Sequence, residues 1–252
     1  MVRPPSPQVS PGTIDRSARA SLLTGVAGLS LLVVVTAGDA LTRRDGYDMT
    51  RHWISLLQHG GRGWLATVAF GAAGAMVLVS VPGFRAARRV DPSPSRSAAA
   101  IPVLVTALGV ALVVLAVCPI DPSMEYPVHV DAYVVSTAGR IHSIAGAVVL
   151  ASFASLCWCI AGVSRGRPRT PGWLPTLARS SAGVIVLVFL VCSTAVVLSD
   201  AQSWEAARAG AFQRLALLVG GVWLSWYALV LVAGSPDGSA EAASTDSDEL
   251  EV

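Results

Sequence analysis

The side chains able to move protons or attack a carbonyl are few in this sequence, and they gather in two short connections. All four histidines, His52, His59, His129 and His142, fall in or just inside the segments that follow the first and third long apolar stretches. Ser55, Asp121 and His142 are the catalytic candidates. An imidazole titrates near neutral pH, a carboxylate can orient it, and a hydroxyl can act as acceptor or nucleophile. Around them Asp48, His52, His59 and Arg140 would line a polar vestibule. In the run from Tyr47 to His59, at about 100° per residue, Asp48, His52, Ser55 and His59 fall within roughly 60° of one another. Met49, Trp53, Ile54, Leu56 and Leu57 take the opposite face. The spacing predicts a short amphipathic helix lying at the outer membrane interface. A solvated face that merely caps a bundle has the same pattern, and both readings stay open.

The second connection opens with Cys118-Pro-Ile-Asp-Pro122 and continues through Glu125, His129 and Asp131. Pro119 and Pro122 restrict the backbone on either side of Asp121 and hold its carboxylate near the end of the third stretch. Arg140 stands where a helix begins, and a cation there opposes the macrodipole by about 0.3–1 kcal/mol, so an acidic partner is expected in Asp121 or Asp131. His142, one turn further in, reads either as a base or proton relay or as a hydrogen-bonded contact between helices. The third connection, Asp200 to Arg214, reads as a solvated cap with Trp204 and Phe212 as anchors and a Glu205–Arg208 pair. No phosphate-binding loop, dinucleotide fingerprint or H-E-x-x-H run is present.

The elements that must position these groups follow from hydropathy. Six stretches, Ala20–Gly38, Gly63–Phe84, Ser97–Ile120, Ile141–Ser164, Ser180–Ser199 and Leu215–Pro236, lack Asp, Glu, Lys and Arg. Each is long enough, at ~1.5 Å of rise per residue, to cross a hydrocarbon core of ~30 Å. Of 252 residues 53% are hydrophobic and 13% charged, which leaves no separate soluble domain. In lipid an unpaired backbone amide is costly, so the spans must be helices. The fold class is all-α, a polytopic transmembrane bundle of six helices with a short amphipathic helix in the first external loop. Residues 1–19 and 236–252, rich in Pro, Ser, Asp and Glu, are expected to be disordered cytoplasmic tails around a membrane domain of 20–235.

Arginine placement predicts orientation. Every one of the 18 basic residues is Arg, and eleven of them (Arg3, Arg16, Arg19, Arg85, Arg88, Arg89, Arg96, Arg165, Arg167, Arg169 and Arg179) lie on one side. Short positively charged loops are retained in the cytoplasm, so both termini are expected there, in an inner (plasma) membrane. A cleavable leader is the alternative for the first stretch, but its charged start is long and Asp39 sits awkwardly beside any cleavage site. The net charge of +2 is too small and too scattered to indicate nucleic acid.

Cys118, Cys157, Cys159 and Cys192 lie inside spans, where a thiol behaves as a small apolar residue, and the C-x-C spacing points its side chains apart. No metal and no cofactor is expected. Gly25, Gly28, Gly71, Gly74, Gly146, Gly220 and Gly221 read as helix-packing positions. Trp64, Trp173 and Trp204 read as interfacial anchors, with Trp223 and Trp226 in the last span.

His52-Trp-Ile-Ser-Leu-Leu with Gly60, Gly61 and Gly63, then Cys118-Pro-Ile-Asp121, then His142 opening the fourth span, together resemble the DUF998 family of bacterial and archaeal six-span membrane proteins. The resemblance covers about Ser21 to Val232. The family elements map to Ile54-Ser55, Pro119-Ile120-Asp121 and His142, and they imply that Ser55, Asp121 and His142 form one outer-leaflet cluster. More distantly the layout is similar to the Frag1/DRAM/Sfk1 group, which is linked to lipid remodelling. The function expected is binding of a lipid or small molecule in an extracytoplasmic vestibule, the bilayer being the surrounding partner. A non-catalytic scaffold or regulator is the alternative, followed by an outer-leaflet lipid-modifying enzyme. A proton-coupled transporter is disfavoured by the absence of mid-depth acids and of a broken-helix repeat.

Overall fold

Polar side chains stop three of the six helices from fraying at their amino ends. The computed structural model describes residues 14–91, 95–123, 126–128, 135–165, 170–198 and 208–234. Its helices are α1 (Arg16–Thr42), α2 (Gly63–Val90), α3 (Arg96–Val117), α4 (Thr137–Ser164), α5 (Leu174–Leu198) and α6 (Ala209–Ala233). Asp15 accepts from the Ala18 amide at 2.7 Å, Ser95 from Ala98 at 3.1 Å and Ser136 from Gly139 at 2.9 Å. Each satisfies an amide that the helix itself leaves orphaned. All six helices are long and apolar enough to cross a membrane. Their outer faces carry large, mostly exposed apolar side chains, such as Val34, Val103, Val117 and Leu187. A contiguous apolar exterior of that kind belongs in lipid. Glu125, His129, Asp131, Asp200, Trp204, Glu205, the terminal tails and the Cys192 side chain lie outside what the structure describes.

α1 packs on α2, α2 on α3, α3 on α4, α4 on α6 and α6 back on α1, so five helices close a ring. α5 sits outside it, against α4 and α6. Close approach needs missing side chains. A Cβ on Gly74 of α2 would stand 2.8 Å from the Gly109 carbonyl of α3. Gly25, Gly28 and Gly220 are equally crowded against neighbouring helices, as their spacing predicts. Gly146 and Gly221 depart from that expectation, because a Cβ on either meets nothing within 4 Å.

Pro82 interrupts α2, since it has no N–H and its ring crowds the preceding turn. The repair comes from α1. The Ser21 hydroxyl donates to the Val79 carbonyl at 2.6 Å and accepts from the Gly83 amide at 3.0 Å, bridging two backbone groups beside the proline. In lipid such re-satisfaction is what allows a proline within a span.

The first connection holds a helix, but shorter and tighter than its periodicity suggests. It is a 3-10 helix of five residues, Ile54–Gln58, in which Ile54, Ser55, Leu56 and Leu57 are all buried. On the polar face His52 and Ser55 are buried while Asp48 and His59 stay part-exposed, because the loop packs against α1, α2 and α6.

Candidate functional site

Asp39 and Arg43 lie one turn apart at the end of α1, and both side chains are 1% exposed. Arg43 uses every N–H. Nε and Nη2 donate to Asp39 Oδ2 at 3.0 and 2.8 Å, and Nη2 also donates to the Leu57 carbonyl at 2.5 Å. Nη1 reaches the His59 carbonyl at 2.8 Å, the Tyr126 hydroxyl at 2.6 Å and Asp45 Oδ2 at 3.2 Å. Arg62 donates to the other Asp39 oxygen from both Nε and Nη2. Two carboxylates thus face two guanidiniums, and the cluster ties α1, the 3-10 helix, the start of α2 and the second connection together. Buried ion pairs survive desolvation only when fully hydrogen-bonded, and this one is.

The cluster sets the charge state of its neighbours. Burial, and then the hydrogen bond to Asp45, push the Tyr126 hydroxyl up to about 12, so it stays protonated and donates to Asp45 at 2.9 Å. Against its own burial, Asp45 is held below the usual carboxylate range by Tyr126 and Arg43. Asp48 is lowered chiefly by the Thr50 hydroxyl, whose proton it accepts at 2.8 Å.

No hydrogen bond joins the three candidates named from sequence, although Asp121 and His142 are near enough to interact through charge. Ser55 is buried and lines a cavity inside the helix ring. Asp121 does not orient His142. Its oxygens take the Ser136 amide at 2.9 Å and the Ser136 hydroxyl at 2.6 Å, completing the cap of α4. The fit is close, since a Cβ on Gly139 would come 2.0 Å from Asp121 Oδ2. His142 is instead held by the Cys118 carbonyl, which accepts from Nδ1 at 2.6 Å, and its buried Nε2 has no hydrogen-bond partner among the described residues. No hydrogen bond joins Ser55 to Asp121 or His142. His59 joins the Asp121 neighbourhood by donating from Nε2 to the Ile120 carbonyl at 2.9 Å. Burial lowers its pKa, with the Ile120 carbonyl and Asp121 acting in the opposite sense.

His52 is 6% exposed, packed by Tyr47 and Tyr126 at ring distances of 5.4 Å, and its Nδ1 accepts from the Asp48 amide at 2.9 Å. It belongs to the floor of the loop, with Asp48 above it forming a local turn. Arg140 is exposed, and among the described residues it makes no ion pair; of the two carboxylates expected to answer it, Asp121 is occupied by Ser136 and Asp131 lies outside the described residues.

Sequence reasoning passed over two groups. Asp39 with Arg43 carried a signal, an i,i+4 acid–base pair closing an apolar helix. Arg214 and Gln213 were assigned to a solvated cap, yet they stitch α6 to the first loop. Arg214 donates to the Met49 carbonyl, to the His52 carbonyl at 3.1 Å and to the Tyr47 hydroxyl at 2.5 Å, and Gln213 Oε1 accepts from the Ile54 amide at 2.8 Å.

Beneath this lid lies a cavity of about 180 Å³, walled by apolar residues of α1, α2, α3, α4 and α6, among them Leu29, Phe70, Leu112 and Val149. Gly146 and Gly221 line it, which accounts for the open space beside their Cα atoms. Its polar end is made by Ser55, Gln213, Arg214 and Thr36. Val33 and Leu218, about half exposed at 45% and 49%, mark its edge where α1 meets α6. Apolar cavities near ~150 Å³ stay dry and take up apolar molecules.

Six apolar helices with an apolar exterior define a multi-pass membrane protein. More narrowly, the family described as a protein of unknown function, DUF998, matches residues 25–230, and the chain belongs to it. No curated protein and no solved structure matches the chain.

Proposed function

We propose that this protein binds a lipid-like amphiphile, with its chain in the cavity between α1, α4 and α6 and its head beneath the 3-10 helix. One observation carries the proposal: an apolar chamber ends in a small set of polar groups, the usual make-up of a ligand site. The arginine distribution supports placing the lidded end in the outer leaflet, with both termini in the cytoplasm. Acyl transfer at Ser55 would need a base in contact with its hydroxyl, and His142 is committed to Cys118. Binding without turnover is therefore the function proposed.

The test is native mass spectrometry of the detergent-extracted chain beside Gly146→Leu and Gly221→Leu. Both positions line the cavity, and a Cβ at either meets nothing within 4 Å, so a leucine there takes up cavity space. The wild type should carry a lipid mass that both variants lose while melting no lower than the wild type. A wild type with no adduct, or variants that keep it, would remove the cavity from consideration and leave a scaffold.

A further inference from the structure

We infer that the occupant of the cavity is an anionic single-chain amphiphile, an oxyanion such as a carboxylate or phosphate on an alkyl chain, seated with its head against Arg214, Gln213 and Ser55. The inference rests on the binding function proposed above and adds the charge of the head.

The argument begins with unmatched charge. Arg43 and Arg62 both face Asp39. Among the described residues Arg214 meets only neutral oxygens: the carbonyls of Met49, His52 at 3.1 Å and Gly210 at 3.0 Å, and the Tyr47 hydroxyl at 2.5 Å. Among the described residues no carboxylate pairs with it, although it lines a cavity otherwise walled by hydrocarbon. A cation beside a low-dielectric space attracts a counter-charge far more strongly than one in water. α6 adds to the imbalance, since its first turn contains no acidic residue and its dipole presents positive potential at that end.

The neighbouring groups are donors as well. Gln213 spends its carbonyl oxygen on the Ile54 amide, which leaves its amide nitrogen without a partner among the described residues. The Ser55 hydroxyl has no hydrogen-bond partner among the described residues. A cation flanked by an N–H₂ and an O–H is the complement of an oxyanion, whose lone pairs take charge-assisted bonds from all three. An alcohol head would leave Arg214 uncompensated, and a cationic head would be repelled.

The experiment titrates the purified full-length chain in detergent with four ten-carbon probes: decanoate, decyl phosphate, decanol and decyltrimethylammonium. Binding is read by native mass spectrometry. At least one anion should bind about tenfold or more tightly than decanol, and the ammonium most weakly. Arg214→Gln retains an N–H₂ donor for the loop carbonyls but loses the charge, so on the variant, shown to be folded by its melting curve, the anions should bind no more tightly than decanol does. Decanol binding as tightly as both anions, or a preference that survives Arg214→Gln, would overturn the anionic assignment and leave the cavity function standing. If none of the four probes binds the wild type, both fall.

Discussion

Converting Asp39 to Asn is the most demanding test of how the lidded end is held. The carboxylate is 1% exposed and takes four guanidinium hydrogen bonds, two from Arg43 and two from Arg62. An amide in its place keeps one acceptor oxygen and turns an N–H₂ toward guanidinium donors. Arg62 is 44% exposed, so losing its partner costs roughly 0–1 kcal/mol after solvent screening. Arg43 is 1% exposed and would be left with only the half-exposed Asp45 as counter-charge, for which breaking a buried pair costs about 3–5 kcal/mol. At about 2–4 °C per kcal/mol for a chain of this size, the melting temperature in detergent should fall by roughly 6–20 °C. Thermal denaturation followed by tryptophan fluorescence reads this directly. Asp39→Asn combined with Arg43→Gln should cost well under the sum of the two single changes, because contacting charges couple strongly. A shift for Asp39→Asn below about 2 °C, or strict additivity in the double variant, would refute the view that this cluster secures the loop.

Three further outcomes follow from named contacts. Ser21→Ala should destabilise the fold by ~1–3 kcal/mol, because two backbone groups beside Pro82 lose their bridge; equilibrium unfolding in mixed micelles checks it. Ser136→Ala should cost about 0.5–2 kcal/mol as a lost helix cap, and Gly139→Ala should cost more by driving Asp121 away from Ser136; melting curves of the two variants rank them. His59 has a folded pKa below that of the unfolded chain, so its contribution to stability is fully present above about pH 6.5 and is lost as pH falls. Melting temperatures measured across pH 5 to 8 should decline on the acid side, and His59→Gln should flatten part of that decline.

The spans were legible because lipid imposes one rule on every residue of a helix, and a run free of charge is enough to reveal it. The caps at Asp15, Ser95 and Ser136 are equally local signals. The loop from Tyr47 to His59 was harder, since its polar stripe fits helical spacing but its partners are carbonyls and side chains from α1, α6 and the second connection. Periodicity cannot tell a stripe facing water from one facing buried protein. His142 and Asp121 read as a pair because they are the two ionisable groups nearest the same edge. Cys118 and Ser136 claimed them through backbone geometry that no residue type announces. Gly146 and Gly221 look like Gly28 and Gly74 in sequence, and only the positions of the facing helices separate an empty chamber from a tight contact.

The ring closes between the first helix and the last, and this has a bearing on biogenesis. While the ribosome is still making α5, the Met49 carbonyl and the Ile54 amide lack their eventual side-chain partners, because Arg214 and Gln213 have yet to be synthesised. The first connection therefore matures only after the final segment leaves the translocon. A chain truncated before residue 209 would insert with its chamber unroofed, in a form that membrane proteases could distinguish from the finished product.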